Sequence, residues 1–127
     1  MKFASKTEQK GVIKTLQKTQ KFLTADRWIK GTYQAIPGAL YEKVVRGKMV
    51  DVENVTSKPL YCAMGGLRFV DGPYEHESAN VLRAALPRGY RSVEGFNDKI
   101  STTYRMIQAL FSRAIKLAQK AGVYDRG

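Results

Sequence analysis

The stretch from residue 101 to residue 121, STTYRMIQALFSRAIKLAQKA, constrains this chain more than any other, because it is both long and strictly periodic. At about 100° per residue, Tyr104, Met106, Ile107, Leu110, Phe111, Ala114, Leu117, Ala118 and Ala121 fall on one broad half of a helical wheel. Arg105, Arg113, Lys116 and Lys120 fall on the other half. Asp98 or Ser101 stands where a cap of the first turn is needed, and Gly122 follows as a residue able to take positive φ. An apolar face that wide needs several packing partners. The helix is therefore expected to be the spine of a single core.

A second helix is signalled by Ser5-Lys-Thr-Glu8, which has the form of a capping box. Val12, Ile13, Leu16 and Leu23 gather on one side of its wheel, while Lys6, Lys10, Lys14, Lys18 and Lys21 gather on the other. Gly11 is expected to weaken its first turns by up to about 1 kcal/mol relative to Ala. Thr24 and Asp26 suit a following turn that carries Trp28 and Ile29 and ends at Gly31.

Pro37-Gly38 and Gly47 then break any helical period. Val44-Val45 and Met49-Val-Asp-Val52 can form two strands around Arg46-Gly47-Lys48, and the alternative for residues 32–58 is an ordered loop wrapped over the helices. Pro59 suits the first turn of a helix running through Phe69. In it, Cys62, Ala63, Gly65 and Gly66 leave one side nearly bare for the close approach of another backbone, by preference the spine helix. A turn at Asp71-Gly72-Pro73 leads to a helix from Glu75, with Ala79, Leu82, Ala85 and Leu86 at helical spacing and Pro87-Arg-Gly89 as its stop.

A chain of 127 residues, 43% of them hydrophobic, can bury one core and is too short for two ordinary domains. The expected fold is mainly α: residues 1–127 as one compact bundle of four or five helices, with 32–58 as a hairpin or loop insertion and 1–5 disordered. The lone cysteine, Cys62, excludes an intrachain disulfide, fits a reducing compartment and is expected to be a small buried apolar group. No apolar run is long enough to span a bilayer and the amino-terminal stretch has no signal-like apolar segment, so no membrane partner and a cytoplasmic location are expected.

Chemistry-bearing motifs are sparse. There is no phosphate-binding glycine loop and no nucleophile elbow, and His76 stands alone between Glu75 and Glu77 with no clustered metal ligands. No cofactor, no metal and no catalytic residue is assigned. Asn97-Asp98 reads as a capping pair or, less simply, as a polar pair lining a pocket.

Three motifs remain: Trp28-Ile-Lys-Gly31-Thr-Tyr33, Cys62-Ala-Met-Gly65-Gly66, and Phe96-Asn97-Asp98 ahead of Thr102 and the Arg113-Ala-Ile-Lys-Leu-Ala118 run. In order and spacing they resemble an uncharacterised family of small proteins, a domain of unknown function frequent in bacteriophage and actinobacterial genomes, across residues 14–122. The resemblance implies a phage-type accessory protein in a host cytoplasm and supplies no activity. An indole usually stands in that family where this chain has Phe96, and the lysine stripe is not part of its pattern.

The remaining signal is charge. With 22 Lys+Arg against 11 Asp+Glu the net charge is +11, which favours anionic partners. Nucleic acid, or another polyanion, is expected to bind non-specifically along Lys6, Lys10, Lys14, Lys18 and Lys21 together with Arg105, Arg113, Lys116 and Lys120. With no aromatics interleaved among the lysines, the pattern points to backbone contact and little sequence discrimination. The bland alternative is a solvated face kept charged for solubility. Another is a protein-interaction module docking on a host factor or virion component through 32–58 or an exposed apolar strip. The most remote is an enzyme with a site around Asn97, Asp98 and His76.

Overall fold

A computed structural model describes residues 1–70 and 72–124. Asp71 of the expected 71–73 turn therefore lies outside the described residues. Helix α1 (Lys6–Phe22) begins at Ser5, whose hydroxyl accepts the Glu8 amide at 3.1 Å. The Glu8 carboxylate reaches back to the Ala4 amide, one residue beyond the ordinary capping box.

Helix α5 (Tyr104–Lys120) lies antiparallel beside α1. Three glutamine amides fix the pair: Gln9 donates to the Ala118 and Ala121 carbonyls, Gln20 to the Gln108 carbonyl, and Gln108 back to the carbonyls of Gln20 and Leu23. Helix α3 (Glu75–Ala84) packs against both, and α2 (Ala63–Val70) packs on α1 and carries α4 (Val93–Asp98). Leu16, Leu67, Leu82, Phe96, Ile107, Leu110 and Phe111 meet in one buried cluster. Each such side chain contributes roughly 1.5–3 kcal/mol by leaving water.

The chain is nevertheless not the mainly α bundle expected from its periodicity. Among the described residues it is a mixed α/β fold, 47% helix and 18% strand, with three two-stranded sheets. Strand β1 (Lys2–Phe3) pairs in parallel with β6 (Gly122–Val123), and β2 (Gln34–Ala35) pairs antiparallel with β5 (Leu60–Tyr61). Residues 1–5, expected to be disordered, thus include a paired strand, and Phe3 is buried in the core. Two-residue strands carry no period of their own. Only distant partners define them.

Strands β3 (Leu40–Val45) and β4 (Lys48–Glu53) form the hairpin within 32–58. Val45 faces Lys48, so Arg46 and Gly47 make a two-residue turn, with φ of +52° and +76°. Positive φ at both positions is the type I′ geometry, whose twist matches the flanking strands. A small cluster of Ile29, Ala35 and Leu60, with Ala39 and Tyr41 against it, holds the hairpin to the body.

Three local expectations are corrected, and one further helix has no counterpart among them. The helix expected from Pro59 starts at Ala63, because Leu60 and Tyr61 are committed to the sheet with β2. Helix α4 is too short to show periodicity; Ser92 starts it, accepting the Gly95 amide at 2.9 Å. The spine is capped by Thr103, whose hydroxyl accepts the Met106 amide at 3.2 Å, and neither Ser101 nor Asp98 caps it, because the Thr102 amide turns back onto the Lys99 carbonyl. Gly65 and Gly66 approach residues other than the spine: a Cβ on Gly65 would stand 1.8 Å from the Tyr33 carbonyl oxygen, and one on Gly66 would meet Leu23.

Candidate functional site

The three sequence motifs converge on one buried junction. Asn97, at the end of α4, is fully buried. Its Oδ1 accepts the Trp28 indole N–H at 2.6 Å and the Ala63 amide at 3.0 Å, and its Nδ2 donates to the Ile29 carbonyl at 3.0 Å and to Asp98 Oδ1 at 2.9 Å. That fills two acceptor and two donor positions, the whole capacity of the amide. Ala63 is the first residue of α2, so Asn97 does act as a cap, but of α2 and from another part of the chain. Asp98 Oδ1 also accepts the Gly31 amide at 2.9 Å, where φ is +88°.

Lys30 is the residue at this junction that sequence reasoning missed, since a lone lysine reads as solvated. It is only 5% exposed, and its ammonium donates to the carbonyls of Asn97, Lys99 and Thr102 at 2.8, 2.6 and 2.7 Å. Burial lowers its pKa, and the Asp98 charge opposes that shift. With all three N–H bonds committed to backbone oxygens, Lys30 is a strut between the 28–31 segment and the α4–α5 connection. It has no geometry for nucleophilic work.

Beside the junction is a cavity of about 320 Å³ lined by Gly31, Thr32, Tyr33, Cys62, Glu94 and Asp98. The Tyr33 hydroxyl donates to Glu94 at 2.7 Å, a bond that raises the phenol pKa and lowers that of the carboxylate. Burial pushes the Cys62 thiol up to about 11, and its sulfur accepts the Gly65 amide at 3.3 Å. The thiol is therefore protonated at neutral pH. His76 lines a different cleft of about 450 Å³, together with Arg68, Arg83, Arg91 and Glu94. Asn97, Asp98 and His76 thus occupy a saturated junction, one cavity and another cleft. Among the described residues, no three His, Cys, Asp or Glu side chains gather as a metal site.

The basic stripes occupy the outer side of the helix pair. Lys6, Lys10, Lys14, Lys18 and Lys21 are all exposed, as are Arg105, Arg113, Lys116 and Lys120. Of these nine, only Arg113 has a hydrogen-bond, ion-pair or ring partner among the described residues, donating to the Ala85 carbonyl at 3.1 Å. Because α1 and α5 are antiparallel and share the glutamine seam, Lys6 and Lys10 lie toward the Lys116 and Lys120 end, and Lys18 and Lys21 toward Arg105. Both helices turn their apolar faces to the same core. Their cations flank a neutral seam.

A family model described as a family of unknown function, DUF6197, matches residues 7–117, which includes the whole motif junction. No curated protein and no solved structure matches the chain. Among the described residues no helix is long and apolar enough to cross a membrane.

Proposed function

The chain belongs to the DUF6197 family, to which no function is attached, and from its surface we propose a small basic accessory protein that binds nucleic acid non-specifically through α1 and α5. The observation that carries this reading is the helix pair itself: nine exposed cations on adjacent helices, eight of them without a partner among the described residues. Lysines four apart on one helix repel by a few tenths of a kcal/mol per pair. A phosphate backbone laid along the row removes that cost and releases counterions. The α1 stripe is mainly lysine, a point charge suited to phosphate more than to bidentate contact with base edges, so binding is expected to be largely independent of sequence. The phage-type, host-cytoplasm setting rests on the motif resemblance alone.

The test is binding of a mixed-sequence duplex and single strand at several salt concentrations, for the parent and a Lys10, Lys14, Lys18→Glu triple variant. Affinity should fall with a log–log slope of about −0.9 per phosphate neutralised on duplex DNA, and the variant should lose most of it. Unchanged binding by the variant, or none by the parent at low salt, rejects the proposal. The second reading, a protein-docking module, draws on the exposed Ile36, Leu40 and Val55 in the 32–58 segment. A stoichiometric protein partner lost on substituting Leu40 would favour it.

A further inference from the structure

The row Lys10, Lys14, Lys18 continues at the same four-residue spacing to Phe22, the last residue of α1. Each step along it rises about 6 Å and turns about 40° around the helix axis. At its end the Phe22 ring stacks on Phe69 from α2, with centroids 4.8 Å apart and planes at 17°. Tyr61 packs against both rings, at 5.3 and 5.1 Å. The Arg27 guanidinium sits 4.5 Å from the Phe22 ring centre.

Phe69 is 58% exposed, although Leu67, two residues before it, is completely buried. The rings, Arg27, Lys58 and Pro59 line an open cavity of about 170 Å³. Asp26 shares the adjoining cleft with Arg27 and Lys58, and its carboxylate accepts the Thr24 hydroxyl.

We infer that this aromatic cluster is a base-stacking platform at the end of the lysine row, and that the nucleic acid bound here is single-stranded. The inference rests on the polyanion reading above and narrows it. In a duplex the faces of the bases are already covered by their neighbours, and only edges reach the grooves. An unpaired base has a face to give. Lysines along the row hold phosphates, Arg27 and Lys58 rim the cavity, and the exposed side of Phe69 takes the base. Stacking of this kind tolerates any base. A protein partner would use the apolar rings but has no need of the lysine row that leads to them.

The experiment compares affinities for a labelled mixed-sequence single strand, the duplex of the same sequence and an abasic strand of the same length. The proteins are the parent, Phe69→Leu, Phe69→Tyr and the Lys10, Lys14, Lys18→Glu triple variant. Phe69→Leu keeps an apolar side chain against Phe22 and Tyr61 but removes the flat ring, so it should bind the single strand about tenfold more weakly. Its affinities for duplex and abasic strand should equal those of the parent, and Phe69→Tyr should bind the single strand as the parent does. Unchanged single-strand affinity in Phe69→Leu, or an equal loss on all three ligands, overturns the stacking platform. If the triple variant loses binding in that same experiment, the polyanion surface stands without it. A parent that binds none of the three ligands overturns both.

Discussion

Asn97 Oδ1 accepts the indole N–H of Trp28 at 2.6 Å, joining residues 69 positions apart in the chain. The same amide serves Ala63 and Ile29, so its removal leaves one buried and one half-buried donor and one buried acceptor short of a partner. Asn97→Ala should cost about 3 kcal/mol in urea unfolding, the scale expected when several buried polar groups lose their bonds together. Asn97→Asp keeps the shape but cannot donate to Ile29 and adds a charge beside Asp98, so it should also be destabilised. A loss below about 1 kcal/mol in both would mean that water replaces the amide.

Gly65 and Gly66 look alike in sequence and should respond differently to a methyl group. A Cβ on Gly65 meets the Tyr33 backbone at 1.8 Å, whereas one on Gly66 meets the side chain of Leu23 at 2.8 Å. A side chain end can move aside; a carbonyl fixed in its own hydrogen bond cannot without shifting the chain. Gly65→Ala is expected to destabilise by about 2 kcal/mol or more and Gly66→Ala by less. Thermal melts of the two variants decide this, and the reverse order would show that Tyr33 is the more yielding neighbour.

Cys62 makes the stability depend on pH in the alkaline range. Folding raises its pKa from 9.0 to about 11, through burial. Over that interval the native state keeps a proton that the unfolded chain releases, so the contribution is complete below pH 9 and is lost as pH climbs through 11. The parent should therefore lose on the order of 2 kcal/mol more than Cys62→Ala between those limits. Alkylation of the native thiol at pH 8 should be far slower than in urea. Parallel stability profiles for parent and variant would contradict the assignment.

The readable parts of the fold are those with a period. Helices α1 and α5 each run for 17 residues, long enough for apolar and basic positions to separate visibly on a wheel. Arg46-Gly47 marks its own turn, because few pairs tolerate two positive φ values. Strands β1, β2, β5 and β6 are two residues each, and α4 is six; no local pattern announces elements that short, and the helical share was overestimated for that reason. The basic stripes were legible from spacing alone. Lys30 was not, because only the backbone geometry of residues 97–102 turns a lysine inward. The Phe22–Phe69 stack joins two helices and has no sequence signature, so the lysine row appeared to lack aromatics.

A two-residue strand, a glycine turn and a helix of six residues have no stability of their own. At the motif junction such pieces are held by one amide and one ammonium, each bonded to groups that belong to other pieces. Withdrawing α4 takes a partner from both the 28–31 segment and the start of α2, so the openings of these segments are coupled. The amide protons of Gly31 and Ala63, whose acceptors are the side chains of Asp98 and Asn97, report on that coupling. They should exchange with solvent through one shared opening rather than through local fraying.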